Sequence, residues 1–129
     1  MTKAVKTNVV DSSGWLEYFA DGAGASFFAA AIEDIDNLVV PVVSIYEVFK
    51  KVLRDRGEDD ALRAASMMQA GQVIDLDSAL AMEAARYALP LADSIIYASA
   101  MRVGATLWTQ DEHFKGLPNV RFRAKTAAK

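Results

Sequence analysis

A chain of 129 residues, 53% hydrophobic and with a formal net charge of −3 at pH 7, holds enough apolar material for one domain with a real core and excludes a disordered chain. It has no cysteine, which excludes disulfides and thiolate metal sites, and no run near the roughly 18 uncharged apolar residues of a membrane span. The acidic balance excludes a protein that simply coats nucleic acid, but not an enzyme acting on it, because acids that hold divalent cations are counted here as bare charge.

"AVKTNVVD", residues 4–11, ends in a β-branched run and predicts a strand stopping at Asp11. Its apolar run is too brief for a signal peptide, so a cytoplasmic protein is expected. "SSGWLEYFADG" (12–22) predicts a short helix and "ASFFAAAIEDID" (25–36) a second. "LVVPV" (38–42) reads as a short buried strand whose regular part ends at Pro41. In "SIYEVFKKVLRDRG" (44–57), Ile45, Val48, Phe49, Val52 and Leu53 make an apolar helical stripe. Ser44 and Glu47 fit a capping box there, and Gly57 a C-terminal stop.

"EDDALRAASMMQAG" (58–71) predicts a further helix, "QVIDL" (72–76) an edge strand, and "DSALAMEAARYA" (77–88) a helix opened by Asp77 or Ser78. "ADSIIYASAMRVG" (92–104) carries a stripe of Ala92, Ile95, Ile96, Ser99, Ala100 and Val103. "ATLWT" (105–109) is a strand, "DEHFKG" (111–116) a helical turn and "VRFR" (120–123) a last strand. Residues 1–124 are expected to form a single domain and 125–129 a frayed tail. No repeat or linker divides the chain. Strands alternating with helices predict a three-layer α/β/α sandwich on a mostly parallel sheet. Right-handed crossovers then bring the loops after the strands to one edge, where ligands bind such folds.

Four acids share that edge: Asp11 closing the first strand, Glu47 in the first turn of a helix, Asp93 at another helix start, and Asp111 after "LWTQ". Each has a plain structural reading as a cap or a favourable charge on a helix dipole. Together they repel, so convergence requires a cation or raised pKa values. Oxygen ligation suits Mg²⁺ or Mn²⁺, and with no cysteine and one histidine a dedicated zinc site is disfavoured.

"VVDSSGWLEYF", "SIYEVFKKV" and "LPLADSIIYASAMRVGATLWTQDEHFKGLPNV" resemble the PIN-domain ribonucleases, in particular the VapC-type toxins of toxin–antitoxin pairs. The resemblance implies a divalent-metal-dependent endoribonuclease that cleaves RNA with one or two Mg²⁺ or Mn²⁺ ions. It makes Asp11, Glu47, Asp93 and Asp111 the catalytic and metal-holding residues, with Ser13 and Thr109 as supporting hydroxyls. It also implies a VapB-type antitoxin partner, seated in a groove leading to the acids, and a homodimer, with residues 45–53 and 58–70 as surfaces for both. Relatives often carry a further Asp where this chain has His113, which weakens the case for a second ion. That histidine reads as a surface turn residue, or as a ligand for a softer ion or a phosphate contact.

Other residues carry less. Lys50, Lys51, Arg54 and Arg56, and separately Arg121, Arg123 and Lys125, are either solvated charge or phosphate guides. Trp15 and Trp108 fit core packing better than base stacking, and Met67, Met68 and Met82 read as filler. Asp75 and Asp77 read as caps rather than ligands. The alternative function is a PIN-like binding module with weak chemistry. Phosphoryl transfer to an aspartate is disfavoured, because dehalogenase-like phosphatases need a second Asp where Ser13 stands, and receiver domains need a phospho-acceptor and lysine not clearly present.

Overall fold

The computed structural model describes residues 6–125. Residues 4 and 5 of the first expected strand and residues 126–129 of the expected tail lie outside the described residues. The chain runs β1 (Asn8–Val10), α1 (Ser12–Phe19), α2 (Ala25–Ile32), β2 (Val39–Pro41), α3 (Val42–Arg56), α4 (Glu58–Met68), β3 (Gln72–Ile74), α5 (Ser78–Ala84), α6 (Leu91–Arg102), β4 (Thr106–Thr109) and β5 (Val120–Phe122). Short 3₁₀ turns lie at Ile35–Asn37 and Glu112–Phe114.

All strand pairings are parallel. β4 lies between β1 and β5, and β2 pairs with β3. One parallel bridge, Asn8 to Leu38, joins β1 to the segment leading into β2. The order β3-β2-β1-β4-β5 therefore reverses direction between β1 and β4, which is the switch point where parallel α/β folds open a crevice.

Three pairs of neighbouring residues show how strand periodicity builds the layers. Val10, Val40 and Trp108 join Trp15, Phe28, Val48, Val52 and Met68 in a core beneath α1, α2, α3 and α4. Val9, Val39 and Leu107 turn the other way, onto Ile96, Tyr97 and Ala100 of α6. A satellite cluster of Leu80, Ala84, Ile95 and Ala98 ties α5 to α6. Successive side chains of a strand point to opposite faces, so each VV or LW pair feeds both layers, and the expected α/β/α sandwich results.

Four expectations need correcting. The second helix stops at Ile32, and Ile35–Asn37 is a separate 3₁₀ turn. α5 ends at Ala84, four residues short of the expected limit. α3 begins at Val42, not Ser44, with Pro41 at its N-cap and no side-chain cap. The capping box therefore does not form: Ser44 sits inside the helix, buried, its hydroxyl without a hydrogen-bond partner. Finally, α6 has no single apolar stripe. Every residue from Ser94 to Ala100 is buried, because the helix lies between the sheet and α5. Its small residues permit that, and the Ser94 and Ser99 hydroxyls donate to the carbonyls of Leu91 and Ile95, both at 2.7 Å, so their burial leaves no unmet donor.

Close packing beside β1 rests on Gly14. A Cβ there would meet Phe28 Cε1 and Val10 Cγ1, each at 2.6 Å. Gly14→Ala is expected to cost about 1–3 kcal/mol through overpacking, seen as a lower urea midpoint at unchanged slope. A midpoint equal to that of the parent protein would contradict this packing.

Candidate metal centre

The register pairs Val10 with Trp108, and the Asp11 amide donates to the Trp108 carbonyl at 3.2 Å. Asp11 thus leaves β1 directly beside Thr109 at the end of β4, at the switch point. It is the N-cap of α1, accepting from the Gly14 amide at 2.9 Å. The Ser13 hydroxyl donates to its two oxygens at 3.0 and 2.9 Å, and the Thr109 hydroxyl donates to Oδ2 at 2.7 Å. Asp11 is only 2% exposed. Burial pushes its pKa up to about 6, against the lowering effect of these three donors, and the charge of Asp111 adds to the rise.

Thr109 ties two acids together. Its hydroxyl donates to Asp11 and accepts from the Asp111 amide at 2.9 Å. Asp111 in turn caps the 3₁₀ turn, accepting from the His113 amide at 2.9 Å. The buried ring of Phe114 anchors that turn in the core. The turn carries the His113 ring back over the acids. Its Nδ1 lies 2.7 Å from Asp93 Oδ2 and 3.3 Å from Asp111 Oδ1. Hydrogen bonding to Asp93, with the Asp111 charge next, raises the imidazole pKa. Asp93 itself, in the first turn of α6, is pushed upward by burial, partly offset by His113.

Glu47 arrives from α3. Freed from the capping role, its Oε1 accepts from the Ser12 hydroxyl at 2.6 Å, which draws α3 toward the end of β1. Asp11, Glu47, Asp93 and Asp111 line one cleft of about 250 Å³, together with Ser12, Ser13 and Lys51. A larger groove of about 340 Å³ shares Ser13, Leu16 and Lys51 with it and continues over Phe19 and Val52.

All seven residues singled out from the sequence therefore meet: four acids in one cleft, Ser13 and Thr109 on Asp11, and His113 across Asp93 and Asp111. The rival acids lie elsewhere. Asp77 caps α5 through the Leu80 amide at 2.8 Å, and Asp75 is exposed. Trp15 and Trp108 are buried, against Phe19 and Phe27 respectively; neither offers a face for base stacking. Met68 is buried, while Met67 and Met82 are exposed. Of the basic residues of α3, Lys51 and Arg54 engage Asp55 and Arg56 engages Asp60, while Lys50 lies over the Tyr46 ring and donates to its hydroxyl.

Two members of the cleft were not among the site residues expected from the sequence. Lys51, read there only as solvated charge or a phosphate guide, follows Glu47 by one helical turn, a spacing that places both on one face, so its presence was readable. Ser12 had no comparable signal, since its partner lies 35 residues away.

The donors fit a divalent cation. One ligand atom each from Asp93, Asp111 and His113 lie within 4.8 Å of one another, and the set is carboxylate oxygen with a single imidazole, suited to hard or borderline ions. Among the described residues no helix is long and apolar enough to cross a membrane.

A parallel α/β/α domain with a carboxylate-lined cleft at its switch point is the class of protein these features define. A family model described as the PIN domain matches residues 9–120, and the chain belongs to that family. Among solved structures, it is similar to a toxin–antitoxin complex from Klebsiella pneumoniae, at 21% identity and TM-score 0.71, covering 89% of this chain and 96% of that one. It is likewise similar to VapC20 of Mycobacterium tuberculosis, a sarcin–ricin-loop-cleaving toxin, at 18% identity and TM-score 0.72, covering 87% and 95%. The VapBC2 complex of Rickettsia felis, bound to a promoter DNA fragment, matches at 12% identity and TM-score 0.69, covering 92% and 98%. At these identities the likeness establishes the fold. Comparison with curated proteins gives no match.

Proposed function

We propose that the protein is a divalent-metal-dependent endoribonuclease and the toxin of a VapBC-type pair. The observation that carries this reading is the convergence of Asp11, Glu47, Asp93 and Asp111 on one cleft, in a chain of the PIN family. A phosphodiester repels bare carboxylates, so such a cleft suits the substrate only with a cation between them. Asp11, Asp93 and Asp111 would hold Mg²⁺ or Mn²⁺, with Glu47 completing the set.

When bound, the ion supplies neutralisation of phosphate charge and acidification of water. The side chains do the rest. Ser13, Thr109 and the Gly14 amide fix the Asp11 carboxylate, so it meets its ligand without reorganisation. Ser12 holds Glu47, which accepts the proton of the attacking water. Lys51, half-exposed and at the mouth of the cleft, meets an RNA phosphate by exchanging its surface partner Asp55 for it.

The VapBC neighbours supply the partner in this reading: a small antitoxin lying in the apolar groove over Leu16, Phe19 and Val52, which opens into the acidic cleft. The outer face of α3, where Ile45, Tyr46, Phe49 and Leu53 surround an open apolar hollow, is the surface assigned to a second copy.

The purified full chain, incubated with structured RNAs, is expected to produce discrete fragments with Mg²⁺ or Mn²⁺ and none with excess chelator. Induced expression without a partner is expected to arrest growth. Metal binding without cleavage of any RNA, and without growth arrest, would favour the binding-module alternative and overturn the nuclease assignment.

A further inference from the structure

Among the candidate ligands Asp93, Asp111 and His113, only the histidine brings nitrogen; Lys51, which also lines the cleft, is an ammonium with no lone pair to offer. We propose that His113 Nδ1 is a direct ligand of the metal, making the centre a mixed nitrogen–oxygen site that selects Mn²⁺ and the later transition-metal ions over Mg²⁺. The proposal rests on the metal-dependent reading above and names the kind of ion that site takes.

Geometry supports it first. Two ligands at right angles on an octahedral ion, each about 2.1 Å away, stand about 3.0 Å apart. His113 Nδ1 lies 2.7 Å from Asp93 Oδ2 and 3.3 Å from Asp111 Oδ1, two separations that bracket that edge length, and one ligand atom from each of the three residues lies within 4.8 Å of the others. With its proton on Nε2, the ring carries a lone pair on Nδ1, the atom that lies beside both carboxylates.

Placement is the second support. The ring is not a loose surface group that happens to fall on an acid. Its backbone amide is held by Asp111 Oδ1 at 2.9 Å, and the next residue, Phe114, is wholly buried. Asp111 therefore fixes the turn that delivers its co-ligand, and the turn is pinned to the core on its far side. Such preorganisation is what a ligand needs and a solvated counter-charge does not.

Ligand chemistry sets the consequence. Imidazole adds little for Mg²⁺, which prefers oxygen and retains water, and more for transition ions, whose affinity rises along the Irving–Williams order. An all-oxygen cleft would discriminate weakly between Mg²⁺ and Mn²⁺; a cleft with one nitrogen discriminates more.

The test is metal binding by the full chain, without RNA. Calorimetric titration with Mg²⁺ and with Mn²⁺ gives two dissociation constants and their ratio, and the Mn²⁺ form is examined by pulsed electron paramagnetic resonance for ¹⁴N coupling. The parent protein is expected to show nitrogen coupling. His113→Ala and His113→Asp are expected to lose it, and the preference for Mn²⁺ over Mg²⁺ is expected to fall on the order of tenfold in both, comparable to what loss of even an indirect ligand partner costs. The aspartate variant keeps a ligating group, so a fall there reports the element lost rather than a missing side chain. An unchanged ratio without nitrogen coupling overturns the proposal. So does equal tightening of both ions in His113→Ala, which would make the ring a competitor for the site rather than part of it. Cleavage is scored separately, so a failure of the nuclease assignment leaves this result readable, and the reverse.

Discussion

Replacing Asp93 by Asn is expected to reduce metal-dependent RNA cleavage roughly 10²–10⁴-fold, since an ion's stabilisation of a phosphoryl transition state is worth several kcal/mol. The folded state is expected to persist. The substitution conserves volume, and Asp93 is the third residue of α6, a helix whose position is set by burial from Ser94 to Ala100 rather than by its first turn. Losing a carboxylate near a helix N-terminus costs about 0.3–1 kcal/mol. Removing a charge that burial already disfavours works in the opposite direction. Single-turnover cleavage at saturating Mn²⁺, beside thermal melts of both proteins, separates the two effects. Undiminished cleavage by a purified, folded Asp93→Asn protein would sink the assignment of Asp93.

Asp93 also illustrates what a sequence can convey. A carboxylate three residues into a helix is ordinary, and nothing local separates a dipole-stabilising acid from a ligand. The separation came from topology: a strand–helix alternation sends the ends of β1 and β4 and the starts of α3 and α6 to one edge, and the four acids sit at those ends. Strand layering was equally legible, because Val9–Val10, Val39–Val40 and Leu107–Trp108 each offer one side chain to each face.

What failed to be legible was decided by partners far away in the chain. Ser44 and Glu47 have the spacing of a capping box, and a lone helix would use it. Here Pro41 starts the helix earlier, Ser44 turns into the core, and Glu47 is taken by Ser12. Tertiary competition overrode a local rule, and it did so at a cleft residue, where departures from local consistency are expected. The α6 stripe failed for a related reason. Periodicity reports one buried face, whereas a helix wedged between a sheet and another helix is buried all round, and its small Ala and Ser residues were the better signal. His113, read from the sequence as a surface turn residue or as a ligand for a softer ion, is brought over the acids by the cap that Asp111 makes to its amide and by the burial of Phe114, neither of which its own position announces.

The metal-free protein is expected to become less stable as pH rises from about 4 to above 6, opposite to the usual behaviour of paired carboxylates. Asp11 is the reason. Its pKa stands at about 6 in the folded protein against 3.8 unfolded. In that window the unfolded chain has released the proton and the folded chain still holds it. The folded state binds more protons, and stability must fall with rising pH. The shift of about two pH units corresponds to about 3 kcal/mol once both forms are ionised. Asp93 and His113 are raised as well and act in the same direction, His113 over a range above its ordinary pKa. Asp55 and Asp77, both lowered, contribute only at more acidic pH.

Two further results follow from the same sign. Asp11→Asn removes the buried charge while retaining an N-cap of equal rank, so in chelator at pH 7.5 it is expected to melt higher than the parent protein, and its stability is expected to vary less between pH 4 and 7. Manganese is expected to raise the parent's melting temperature at pH 7.5, where the carboxylates are ionised and bind it, and to leave Asp11→Asn nearly unmoved. A chelated parent protein that gains stability from pH 5 to 7.5, or an Asp11→Asn protein that melts lower in chelator, would show that the carboxylate is well solvated or otherwise compensated. The unfavourable buried charge that a bound cation would offset would then be absent. The same buried charge thus accounts for a cost in the metal-free fold and for the cleft's need of a cation.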